Sequence, residues 1–155
     1  MPINKLKKYL NENDVKYVTI QHSSAFTAQE IAESAHISGK ELAKVVIVNI
    51  DGELAMVVLP ASENVDCGIV SKAANGATVL IAGEDEFTAR FADCEIGAMP
   101  PFGNLYDMKI YLVPTLAEDS EIAFNAGSHT ELIKLKYSDF ERLAKDAIIE
   151  LPAGF

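Results

Sequence analysis

Lys44 stands at the start of a β-branched, almost wholly apolar run, Val45-Val46-Ile47-Val48-Asn49-Ile50. A lysine placed there either snorkels out at a sheet edge or sits in a cleft facing an anion. A second stretch with chemical potential is Gly97-Ala98-Met99-Pro100-Pro101-Phe102-Gly103, where two glycines bracket two adjacent prolines. Glycine allows positive φ or close approach of a ligand to backbone, and proline stiffens what it joins. The expectation is a stiff loop with exposed carbonyls and amides, able to stabilise an oxyanion or orient a water. The bland alternative is a plain helix-to-strand connection. A third polar cluster is the turn Gly127-Ser128-His129.

Other catalytic constellations fail. The sequence contains no HExxH, GxSxG, GxGxxG or GxxxxGK[ST] motif. The three histidines, His22, His36 and His129, have no partner at ligand spacing, so no metal site is expected. Cys67 and Cys94 lack CxxC spacing and read as reduced thiols of a cytoplasmic protein.

The elements that must position these groups follow from periodicity. Residues 3–13 carry Leu6 and Leu10 at helical spacing, and 15–22 read as a strand with Val15 and Tyr17 inward, joined by Val18 and Ile20. Thr27-x-x-Glu30 is a capping box opening a short helix over 28–35. Residues 45–50 have the composition of a strand covered on both faces. Asp51-Gly52 is a hairpin turn, and 54–59 return antiparallel. Helices are expected over 65–75 and 84–91, the latter with an acidic first turn, and strands over 77–82 and 108–113. Residues 121–125 and 131–135 form a second hairpin around Gly127. Ser138-x-x-Glu141 reads as a capping box for a last helix, followed by a strand over 147–151. The sum is an α/β, α+β-like fold: a mixed, largely antiparallel curled sheet with helices packed outside.

The chain has 155 residues, 49% of them hydrophobic, and is expected to form a single domain over 1–155. No secretory signal or membrane span is legible. The net charge of −10 argues against a protein that coats nucleic acid through a general positive field. It leaves room for a small basic patch gripping one end of an RNA. Lys40, Lys44, Lys72, Lys134 and Lys136 are the material for such a patch in the middle and late chain, though any single one is an ordinary solvated lysine by default.

The Thr27-x-x-Glu30 helix start, the lysine opening the central hairpin, the Gly-x-x-x-Pro loop and the Ala-Gly-Ser turn occur here in one order. In that order the sequence resembles the YbaK/prolyl-tRNA-synthetase-associated domain family of trans-editing aminoacyl-tRNA deacylases, over nearly the whole chain. The resemblance implies metal-independent hydrolysis, without cofactor, of the ester joining a mischarged amino acid to the 3′ end of tRNA. It implies that Lys44 contacts the terminal phosphate or ribose, and that Gly97 and Pro101 belong to the loop whose backbone positions the ester and the water. Gly127, Ser128 and His129 fall where some members line the amino-acid pocket, with Phe26, Thr27, Ala98, Met99 and Phe102 completing the substrate-binding set. The implied partners are the acceptor end of aminoacyl-tRNA and an aminoacyl-tRNA synthetase, with neither membrane nor DNA. Val45, Ala98 and Met99 depart from the family pattern, which leaves the small amino acid (alanyl, cysteinyl or another) open. The alternative is a non-catalytic module that binds a small ligand or a partner protein through the same cleft.

Overall fold

The computed structural model describes residues 2–21, 42–95, 97–118, 120–128 and 130–152. The expected capping box at Thr27 and Glu30, and the helix it opens, lie outside these residues. Helix α1 (Pro2–Glu12) buries Leu6 and Leu10 as its spacing requires. It leads into β1 (Tyr17–Gln21).

The central hairpin joins β2 (Ala43–Ile50) and β3 (Glu53–Pro60), in register from Ala43 opposite Pro60 to Ile50 opposite Glu53. Asp51 and Gly52 both take positive φ, 49° and 93°. A two-residue turn compatible with strand twist demands that conformation. The Asn49 side-chain oxygen accepts from the Gly52 N–H at 2.7 Å and holds the turn. Both strands are covered on both faces, as the apolar composition predicts. Ala43, Ile47, Met56 and Val58 join one core; Val48, Ala55, Val57 and Leu59 join another.

Helix α2 (Cys67–Ala73) is capped by Asp66, whose carboxylate accepts from the Gly68 and Ile69 amides, and it closes the second core with Val70. Strand β4 (Val79–Ile81) pairs antiparallel with β2. Helix α3 covers only Glu84–Phe87, shorter than the expected 84–91. The Thr88 hydroxyl donates back to the Glu84 carbonyl, a bond that competes with continued helix. Turns then carry Phe91 into the first core.

Strand β5 (Ile110–Leu112) pairs parallel with β3, and β8 (Ile148–Glu150) parallel with β5, giving a five-stranded sheet in the order β4-β2-β3-β5-β8. Strands β6 (Glu121–Asn125) and β7 (Glu131–Lys136) form the second hairpin, and with β1 they make a three-stranded antiparallel sheet. A parallel bridge between Leu42 and Ala123 links the two sheets.

Two local expectations are corrected. Helix α4 (Tyr137–Ala144) starts after Lys136 with no side-chain cap, so Ser138 is not an N-cap. Strand β7 runs straight into the helix, and burial of Tyr137 and Phe140 in the first core sets the start. Val18 points outward and is 55% exposed, because strand alternation that buries Tyr17 in the core must turn its neighbour away.

Candidate active site

The segment from Gly97 to Gly103 is not the open loop its composition suggests. Gly97 is exposed at positive φ (86°), but 98–103 are buried. Phe102 explains this. Its ring meets Tyr9, Phe124 and Phe140 edge-on, with centroids 5.8, 5.7 and 5.3 Å away, so it locks the loop into the first core. Met99 belongs to the same core, and its sulfur lies 3.3 Å from the Gly97 amide. The expected pocket walls Met99 and Phe102 are therefore placed as core side chains that hold the backbone, and Ala98 is fully buried beside them. Pro100 and Pro101 are buried as well.

The loop and the second hairpin are tied backbone to backbone. The Gly127 N–H donates to the Ala98 carbonyl at 2.9 Å, and the Glu95 N–H donates to the Gly127 carbonyl at 2.9 Å. Gly127 reaches this position with φ of 92°, a conformation that glycine adopts without penalty. Ser128, next in chain, has its hydroxyl 2.8 Å from that of Thr130 and accepts from the Thr130 amide at 3.1 Å. Sequence reasoning identified both segments but had no means of seeing that they are joined.

Lys44 is half-buried in β2 opposite Leu59. Its neighbours Ala43 and Val45 turn to the first core, so alternation sends Lys44 to the other face. That face is opposite the core holding Met99 and Phe102. The strand that carries Lys44 meets the sheet of the second hairpin at the sheet junction. Leu42 bridges Ala123 in parallel, an isolated bridge two residues before Lys44 and two before Asn125 along the chain. Asn125 is followed by Ala126 and by Gly127, the residue bonded to the loop. The backbone bonds thus tie Gly127 to the start of the Gly97 loop, and the bridge ties the residue just before β2 to the strand that leads into that turn. Phe26, Thr27 and His129, the remaining expected site residues, lie outside the described residues, as does Lys40.

Just upstream of the loop the Cys94 thiol lies 3.4 Å from the Tyr106 hydroxyl. Burial pushes the thiol up to about 11 and raises the tyrosine above its ordinary value. Lys5 sits over the Tyr106 ring, 4.4 Å from its centroid. Cys94 is thus a protonated packing group at neutral pH, unsuited to nucleophilic attack. Among the described residues no group of three or more His, Cys, Asp or Glu side chains could hold a metal ion.

Comparison with known proteins identifies the family. The family model for the aminoacyl-tRNA editing domain matches residues 22–143. The multifunctional Ser/Thr-tRNA deacylase ProXp-y of Escherichia coli (strain K12) is 23% identical over 145 residues, covering 90% of this chain and 86% of that protein. Among solved structures, one described as a candidate trans-editing enzyme for prolyl tRNA synthetase superposes with a TM-score of 0.82 at 18% identity, over 99% of this chain and 98% of that one. A hypothetical protein superposes with a TM-score of 0.81 at 16% identity, over 95% and 98%. At such identities the structural likeness speaks for the fold.

Proposed function

The chain belongs to the aminoacyl-tRNA editing domain family, and from that premise we propose how its own residues carry out the reaction. It is an aminoacyl-tRNA deacylase, a hydrolase acting on the ester that joins an amino acid to tRNA. Water adds to the ester carbonyl, the bond to the ribose oxygen breaks, that oxygen takes a proton, and the free amino acid leaves. An aminoacyl ester is already activated, so positioning and modest electrostatics suffice.

Lys44 supplies the positive charge for the terminal phosphate or ribose of the acceptor end. The Gly97–Pro101 backbone, held from beneath by Phe102, orients the ester and the water. Gly127 and Ser128 border the aminoacyl group. The observation that carries this reading is the lacing of Gly127 to Ala98 and Glu95, at the end of β6, whose Ala123 bridges Leu42, two residues before Lys44. This reading sets that rigid backbone frame beside the Lys44 cation, which is what a deacylase without an evident general base requires. The relative's activity on Ser- and Thr-tRNA makes seryl and threonyl esters the first substrates to assay, with alanyl and cysteinyl esters beside them. A synthetase that produces the mischarged tRNA is the partner this reading assigns.

The test is turnover of a panel of these aminoacyl-tRNAs by wild type and Lys44→Ala. The expected result is repeated turnover by wild type and a loss of about 100-fold or more in kcat/KM for the variant, with unchanged circular dichroism. Full activity in the variant would remove Lys44 from the site. Saturable binding without product by wild type would favour the non-catalytic alternative.

A further inference from the structure

Register places Lys134 and Lys136 on the same face of the three-stranded sheet. Ile133 and Leu135, which alternate with them, are buried in the first core, so both lysines turn to the opposite face, Lys136 exposed and Lys134 half-buried. On the neighbouring strand Lys134 lies opposite the exposed Val18, and the exposed Lys16 precedes it on the same side. Two residues of extended strand separate Lys134 from Lys136 by about 7 Å. Leu42 packs with Ala123 and Leu132 on this same face, and Lys44 continues the alternation of Leu42. In a chain of net charge −10, Lys16, Lys134 and Lys136, from two separate segments, are thus gathered on one side of the three-stranded sheet.

We propose that this face, through Lys16, Lys134 and Lys136, docks the phosphate backbone of the double-helical acceptor stem of tRNA. The proposal rests on the deacylase reading, which supplies an RNA partner but no surface for its stem. The argument is charge complementarity. A polyanion is repelled by most of this molecule and meets a local excess of ammonium groups here. Glu121 lies across from Lys136 and 3.8 Å from the Lys134 ammonium, and it is the resident counter-charge that a phosphate must displace. Among the described residues Lys16 and Lys136 have no ion-pair partner, so their charge is available to a ligand. Lysines of this kind are point charges without base readout, so the contact positions the stem and does not select its sequence.

The experiment measures binding of a fluorescent, uncharged acceptor-stem minihelix as a function of salt, alongside turnover of a small aminoacyl-adenosine ester that has no stem. For the double variant K134Q/K136Q the expected result is about tenfold weaker minihelix binding at low salt, with the slope of log affinity against log salt reduced by about two. Turnover of the small ester should be unchanged. Glu121→Gln should shift binding the other way, toward tighter association, which gives a readout even if the double variant folds poorly. Lys109→Gln, beside Glu53, Asp107 and Asp146 at the other sheet, controls for net charge and should leave the slope unchanged. An unaltered slope in K134Q/K136Q, or no minihelix binding by wild type, would overturn the docking face. Absence of small-ester turnover by wild type would instead count against the deacylase reading, so the two failures are distinguishable.

Discussion

Cys94 illustrates what packing does to one reactive side chain. Its thiol is pushed from an ordinary value of 9.0 up to about 11, chiefly by burial, with the Tyr106 hydroxyl as its neighbour. An acid whose folded pKa is raised supports the native state fully while it is protonated. That support is lost as pH rises from the unfolded value through the folded one. The melting temperature of wild type should therefore fall between about pH 9 and 11, and Cys94→Ala should show a shallower fall over that window. Equal slopes by thermal circular dichroism would mean that the thiol is not desolvated. Nothing in the sequence around Cys94 announced this, since its hydroxyl neighbour Tyr106 is brought in from 12 residues further along the chain.

At the scale of elements, the loop from Gly97 to Gly103 was legible as an exception and misjudged as open. Its two prolines and flanking glycines marked a stiff segment, but composition says nothing about what lies beneath. Gly103 shows the constraint. A Cβ there would sit 2.7 Å from the Met108 carbonyl oxygen and 2.8 Å from Cγ1 of Ile110, both in well-packed structure. Gly103→Ala should cost about 1–3 kcal/mol, read as a lower urea midpoint at unchanged m-value, together with reduced deacylation as the loop shifts. Stability at the wild-type level would show that the loop yields easily and is a poor frame for an ester. The hairpin of β2 and β3 was predicted closely, because its turn residues and its β-branched run act locally. The capping box at Ser138 failed because strand β7 and burial of Tyr137 overrode a local pattern.

For the whole molecule, α1 is the test of how the site is held up. The family match begins at residue 22, beyond this helix. Yet Leu6 and Leu10 lie in the first core, and the Tyr9 ring rests against Phe102, the side chain that anchors the loop. The Tyr9 hydroxyl also donates to the Leu143 carbonyl at 3.3 Å and accepts from the Asn104 side chain. Burial of two leucines is worth about 2–5 kcal/mol each, against a net stability of about 5–15 kcal/mol for a domain. Leu6→Ala/Leu10→Ala should therefore lose most of its cooperative urea transition and its deacylase activity together. A double variant that keeps both would mean that the loop stands without α1.

The sequence alone determined the strands and helices that rest on local rules, the central hairpin with its two-faced burial, and the ordered motifs that mark an editing domain. Such features depend on neighbours within a few residues, whose propensities and turn chemistry are written side by side. Only the tertiary structure decided that β3, β5 and β8 run parallel, that Phe102 draws the loop into the core, that Gly127 is bonded to Ala98, and which face Lys16, Lys134 and Lys136 share. A strand's alternation has two possible phases, and only its pairing with a distant strand and the core beneath it chooses between them.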